Sequence, residues 1–172
     1  TDDNFSSVVL LIQSETTNGS TTFVDGSDSE HTVTANGDAQ HSTASAKFGS
    51  SSMLFDGTGD HLHVADSADW AYGTTDFTWE FWVKRTRTGE DGLISQDTRT
   101  GNGNPRQFIQ YNVSNVLWFF NPAGVNLTGA TAVTDTDWHH VAVTDNGTTA
   151  RLFLDGVIDA TATSATYDDL AY

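Results

Sequence analysis

The chain has 172 residues and a net charge of −16, from 23 acidic against seven basic side chains. That length suits one domain burying roughly 70% of its unfolded surface. The charge argues against nucleic acid as a partner, because like signs repel, and it suits divalent cations and a well-solvated surface. The absence of cysteine rules out disulfides and thiol chemistry, and no apolar run approaches the ~20 residues of a membrane helix.

The chain opens on Thr1 rather than methionine, which is compatible with a removed leader. Ser, Thr, Gly, Asn and Asp punctuate short runs rich in Val, Phe, Trp and Thr, and helical periodicity is almost absent, so the expected class is all-β. Residues 8–12 (VVLLI) form a continuous apolar run, expected of a strand covered on both sides. A short strand is expected at 21–24, before the acidic turn Asp25-Gly26-Ser27-Asp28. Segments 31–35 and 39–43 flank Asn36-Gly37, whose tolerance of positive φ predicts a hairpin. Segments 53–55 and 62–64 are expected to meet around Asp56-Gly57, and one helical turn is expected near Ser67 to Trp70, capped by Asp66 or Ser67.

Residues 77–84 alternate strictly. Phe77, Trp79, Phe81 and Val83 share one face, with Thr78, Glu80, Trp82 and Lys84 on the other. Four large apolar side chains on one face need an opposing layer, which predicts the central strand of a sandwich. A short strand at 93–96 precedes a polar loop at 97–106. Segments 107–113 and 116–120 form a predicted hairpin about Ser114-Asn115, while 122–136 is weakly patterned and is read as a crossing between sheets. Segments 140–144 and 150–154 flank Asp145-Asn146-Gly147 as a further hairpin, and Asp155-Gly156 turns into a strand at 157–161. Without an internal repeat or a linker, residues 1–172 read as one domain.

FDGTGDHLHV (55–64), DFTWEFWVK (76–84) and TDWHHVAVTDNGTTARLFLDGV (136–157) resemble the concanavalin A-like, laminin-G-like jelly-roll family, in the family's order. VVLLIQ (8–13), NGSTTFVD (18–25) and HTVTANGDAQ (31–40) are similar to its opening. The resemblance is strongest to versions found in phage tail and virion proteins and in secreted marine bacterial proteins. It implies two curved antiparallel sheets, non-catalytic glycan or protein binding, and in some members a structural calcium ion. The family pattern continues past Asp155-Gly156 into two more strands, the last reading like G-x-I-D-E-V-R-I, whereas this sequence ends at Tyr172 without it. Two expectations follow: a chain that stops early, or a strand donated by another polypeptide at the edge after Leu154.

Glucanase chemistry on this fold would need carboxylates at i, i+2 and i+4 on one strand. Glu80 stands alone on its strand and Glu90-Asp91 sits in a turn, so no catalytic residue is assigned. His61 and His63 share a strand face, while His139 and His140 point to opposite sides. Neither pair reaches the three or four convergent ligands of a zinc site, and no nucleophile elbow occurs. Calcium is the one cofactor expected, at Asp25 and Asp28, which match the place of the family's D-x-S-G loop; the alternative is Asp56-Gly57-Thr58-Gly59-Asp60. Either segment also reads as a turn whose Asp bonds its own backbone.

Sugar recognition would use ring platforms beside amides and carboxylates. Trp70 and Tyr72 in a loop, with Arg99 and Asn102 in the polar 97–106 loop, are the candidate ligand-binding residues. Trp82 stands out because it lies opposite the Phe77–Phe81 row beside Glu80 and Lys84. Trp79, Trp118 and Trp138 are expected in the core. Five N-x-S/T triplets, at Asn4, Asn18, Asn112, Asn126 and Asn146, matter only in a glycosylating host.

The sequence thus reads as an all-β, two-sheet antiparallel jelly-roll β-sandwich. It is expected to be a non-catalytic recognition module outside a cell or on a virion, binding a glycan or a surface protein. The alternative is a structural subunit or decoration of a particle or filament, assembling through its sandwich edges.

Overall fold

The computed structural model describes residues 5–97 and 106–167. The chain divides into two compact units, Thr1–Asp66 and Ser67–Tyr172. The first holds four short strands between long connections, the second is mostly strand, and the all-β antiparallel class stands.

In the first unit, β1 (Val33–Asn36) pairs with β4 (His61–Val64), and β2 (Gln40–Ser42) pairs with β3 (Ser52–Leu54). The expected hairpins about Asn36-Gly37 and Asp56-Gly57 are therefore not formed. Segments 33–42 and 52–64 instead run antiparallel as one long ribbon with a kink in each arm. The turn chemistry was read correctly, since Gly37 has φ +70° and Gly57 +86°. What differs is the partner across the ladder. Asp60 joins the two kinks, its Oδ1 accepting from Asp38 N–H at 2.9 Å and its Oδ2 from Asp56 N–H at 2.8 Å. A Cβ on Gly37 would lie 2.2 Å from Asp60 Oδ1, so that approach requires glycine for contact as well as for φ.

Residues 8–12 form no strand, making a single bridge from Ile12 to Asp25, and 21–24 contributes only the bridge from Val24 to Thr32. The reason is local. Leu11 N–H donates to Asp25 Oδ1 (2.9 Å) and Leu11 C=O accepts from Gly26 (2.7 Å), so a carboxylate and its turn take the bonds that a ladder would use. The unit packs Phe23 against the ring of His41, centroids 4.2 Å apart. His41 is 2% exposed, with Ser14 Oγ on its Nδ1 at 2.5 Å and the Thr22 carbonyl on its Nε2 at 3.0 Å.

The second unit opens with a 3-10 turn, Ala68–Trp70, capped as expected: Ser67 Oγ accepts from Asp69 N–H. One sheet then holds β5 (Phe77–Lys84), β10 (Trp138–Asp145), β11 (Thr149–Leu154) and β12 (Val157–Thr163), in the order β12-β11-β10-β5. The other holds β6 (Asp91–Asp97), β7 (Arg106–Tyr111), β8 (Val116–Phe120) and β9 (Asn126–Ala132), in sequence order. β5 keeps its strict alternation, with Phe77, Trp79, Phe81 and Val83 packed on the core. It ends its ladder, however, and β10 and β11 occupy the middle. The segment read as a crossing contains β9, which pairs with β8 in the same sheet, so only residues 133–137 pass between sheets.

Alternate residues of both sheets meet in one layer. Ile109, Tyr111, Leu117, Phe119 and Leu127 come from one sheet, and Val141, Val143, Ala150 and Leu152 from the other, all at most 1% exposed. At one end Asp145 is buried beneath Tyr167, whose hydroxyl donates to Asp145 Oδ2 at 2.7 Å. Ser164 Oγ and Gly147 N–H both reach Asp145 Oδ1 at 2.7 Å. Burial and the neighbouring carboxylate push the Tyr167 hydroxyl well above its ordinary pKa. Tyr167 also bridges Gly73 and meets Phe77 edge-on at 4.8 Å, fastening residues 164–167 to the start of β5. Tyr167→Phe removes a bond to a buried carboxylate, so a loss of about 1.5–3 kcal/mol is expected in urea unfolding. An unchanged midpoint would contradict this reading of the contact.

Candidate recognition face

Among the described strands, the outer face of the β5–β10 pair carries the most exposed Phe, Tyr or Trp side chain. Thr78, Glu80, Trp82 and Lys84 of β5 lie opposite Thr144, Ala142, His140 and Trp138 of β10. Trp82 is 36% exposed, and its ring sits 5.2 Å from that of His140, tilted at 46°. His140 Nε2 lies 3.5 Å from Glu80 Oε2, whose side chain is 64% exposed. An indole, an imidazole and a carboxylate thus share one patch on the β5–β10 pair. Such a patch offers an apolar ring face with polar groups of both donor and acceptor character at its border. Two-residue alternation places Trp82 beside Glu80, but His140 enters only through the cross-strand register.

Of the ligand-binding candidates named from the sequence, Trp70 and Tyr72 fall elsewhere. Trp70 is half-buried, and its carbonyl accepts from Gln96 Nε2 at 3.1 Å. Gln96 leads into an amide relay: Gln107 Nε2 donates to Gln96 Oε1, and Asn121 Nδ2 donates to Gln107 Oε1 at 2.9 Å. Gln107 and Asn121 are each 1% exposed, so this relay ties the Trp70 turn to the ends of β6, β7 and β8. Tyr72 is engaged internally. Its ring stacks on Phe77 at 4.7 Å, its hydroxyl accepts from the Trp79 indole at 2.9 Å, and burial raises its pKa. Arg99 and Asn102 lie outside the described residues. Trp79 packs edge-on against Phe119, as expected of a core residue, whereas Trp138 lies half-buried on the outer face opposite Lys84, which corrects its expected place in the core. Trp118 is a correction. It faces away from Leu117 and Phe119, lies against Phe108 at 5.0 Å and donates to Asn126 Oδ1 at 2.7 Å.

Arg85, which sequence reasoning passed over, and His139, which it weighed only as a zinc ligand, dominate the opposite end of the second unit. Arg85 is 6% exposed yet fully bonded: to Asp91 Oδ2 at 2.9 and 3.1 Å, the Gly89 carbonyl at 2.6 Å, the Val133 carbonyl at 3.3 Å and Asn115 Oδ1 at 3.4 Å. Its guanidinium lies 4.1 Å from the centroid of the Tyr111 ring. Burial pushes the Tyr111 hydroxyl up to about 12, with Arg85 pulling the other way. His139 lies between the carboxylates of Asp135 and Asp155.

The acidic turns divide cleanly. Asp25 is 5% exposed, and both its oxygens are taken by its own loop and by Leu11: Oδ1 by Leu11 and Ser27 N–H, Oδ2 by Ser27 Oγ and His31 N–H, all at 2.9 Å. Burial opposes ionisation there, and those four donors outweigh it, holding the carboxyl below its ordinary pKa. Asp28 is exposed. Among the described residues, the carboxylates close enough together to hold a cation are Asp38, Asp56 and Asp60, one oxygen of each lying within 4.8 Å of the others. Asp60 already accepts the Asp56 and Asp38 N–H groups, which lowers its pKa. Asp38 is raised by a hydrogen bond to Asp60 and by repulsion from Asp60 and Asp56.

With this geometry in view, residues 56–171 match the family model Laminin_G_3, described as the concanavalin A-like lectin/glucanases superfamily. The chain belongs to this superfamily. No curated protein matches the chain. The laminin-G-type sandwich is a lectin-like scaffold, and its superfamily also includes glucanases.

The signs at the acidic kink give opposite expectations for neighbouring carboxylates. Asp60 contributes stability above its unfolded pKa, lost as pH falls through the lower folded value, whereas Asp38 costs stability wherever it and Asp60 are both ionised. Asp60→Ala should lower the thermal midpoint at pH 7, and Asp38→Asn should raise it or leave it unchanged. Equal losses in calorimetry would contradict the assignment.

Proposed function

We propose that this laminin-G-type chain is a non-catalytic recognition module that binds glycans on the outer face of β5 and β10. The observation that carries the reading is the Trp82–His140–Glu80 patch. Sugar rings present an apolar C–H face that stacks on an indole, while carboxylate and imidazole at the border take up hydroxyls. The net charge of −16 disfavours sulfated or uronic-acid chains and favours neutral sugars. Glu80 is flanked on its face by Thr78 and Trp82 rather than by a second carboxylate, which suits binding better than hydrolysis. Among the described residues no helix is long and apolar enough to cross a membrane. Display outside a cell or on a virion surface, where glycans are met, completes the reading.

A glycan array probed with the labelled chain tests it. Binding to neutral glycans is expected, with Trp82→Ala weakening it about 30-fold (~2 kcal/mol) at unchanged thermal stability. Tyr72→Ala should instead act through unfolding. Binding that survives Trp82→Ala would move the site elsewhere. No binding at all, with oligomers growing as concentration rises, would favour the structural-subunit alternative.

A further inference from the structure

His139 opens the inward-facing register of β10, immediately after residues 133–137 have carried the chain from one sheet to the other. Both of its ring nitrogens face carboxylates. Nδ1 lies 2.8 Å from Asp155 Oδ2, in the turn between β11 and β12, and Nε2 lies 2.8 Å from Asp135 Oδ1, on the crossover itself. A neutral imidazole has one N–H and one lone pair, so at either tautomer one nitrogen would press a lone pair against a carboxylate oxygen. Only the imidazolium satisfies both contacts. The His139 side chain is 16% exposed, and those of Asp135 and Asp155 are about half exposed.

We propose that Asp135, His139 and Asp155 form a proton-dependent latch, closed when His139 is an imidazolium, that fastens the inter-sheet crossover to the β11–β12 turn. The turn is a two-residue Asp-Gly reversal, with Asp155 at φ +50° and Gly156 at φ +79°, which aims the Asp155 carboxylate at β10. Asp155 Oδ1 also accepts the His140 N–H at 2.9 Å, and Asp155 N–H donates to the His140 carbonyl at 2.9 Å. One carboxylate thereby joins the latch to the backbone of the residue beside Trp82.

The charged groups around the latch can be named element by element. Asp135 and Asp155 raise the His139 pKa against burial, which lowers it, and the net shift is upward from 6.5. His139 in turn lowers Asp135 and Asp155. On β7, Tyr111 lies in the same field as Arg85, Asp91, Asp135 and Asp155, while His140 lies near enough to act on Asp155 and faces Glu80 on the other side of the strand. With the folded pKa above the unfolded one, the latch contributes its full stability below pH 6.5 and loses it as pH rises through the folded value. The latch stands on side-chain geometry within the second unit and is independent of what the outer face binds.

The test is a pH titration of the histidine ring resonances in the intact chain, assigned with His139→Gln. The His139 midpoint should lie above 6.5, with nitrogen shifts of a doubly protonated ring at pH 6, and Asp135→Asn, at an exposed site, should lower that midpoint. In parallel, the thermal-midpoint difference between the native chain and His139→Gln should shrink from pH 6 to pH 9, and Asp135→Asn should shrink it at pH 6. A His139 midpoint at or below 6.5, a midpoint indifferent to Asp135→Asn, or a stability difference constant with pH would each overturn the latch. If His139→Gln fails to fold, the Asp135→Asn titration alone decides.

Discussion

The second unit depends on one constraint: between the strand ends, every second residue of β7, β8, β10 and β11 is apolar and dry. Val141, Val143, Leu152, Leu117, Phe119 and Ile109 are fully buried, and each such side chain contributes about 1.5–3 kcal/mol on leaving water. A ladder slipped by one residue would put this whole set in solvent and turn Gln110, His140, Thr144 and Arg151 inside. Register is therefore fixed from within, and every outward group inherits its position from the layer. Trp82 meets His140 because Phe81 must meet Val141.

Where alternation reaches the strand ends, inward positions become polar, and each is met by designated partners. Asp145 closes one end with Tyr167, Ser164 and Gly147. At the other, Arg85 spans Asp91, Asn115 and two carbonyls. A buried ion pair of this kind adds little net stability against an apolar substitute, but removing one partner strands a charge. The ends are thus better understood as fixing which loops lie together than as sources of energy. This suits a scaffold whose function is carried by groups displayed on it.

Local chemistry was legible in the sequence, and pairing across long separations was not. The alternation of 77–84, the Ser67 cap, and the turns at Asn115 and Gly147 each depend on a few adjacent residues and appear where expected. The kinked ribbon of β1 to β4 was missed because a glycine turn signals a reversal without naming the partner strand. β9 was missed for a physical reason. Its sequence NLTGATA holds one large apolar residue, Leu127, since Gly129 faces Asp159, where a Cβ would lie 2.1 Å from Oδ2. The run at 8–12 misled in the opposite sense, being apolar enough for a strand while its backbone is claimed by the Asp25 turn. The candidate site followed the same division. Trp82 beside Glu80 was readable from spacing, His140 was not, and Tyr72 looked like a loop aromatic until Phe77 and Trp79 were seen to enclose it.

Native-state hydrogen exchange, resolved by residue, tests the central claim most directly. If the shared apolar layer organises the second unit, the slowest amides lie on β7, β8, β10 and β11 and open together with the same free energy, while those of β12 and of residues 164–167 open earlier. Slowest exchange on β5, β6 or β12, with β10 and β11 opening ahead of them, would contradict it.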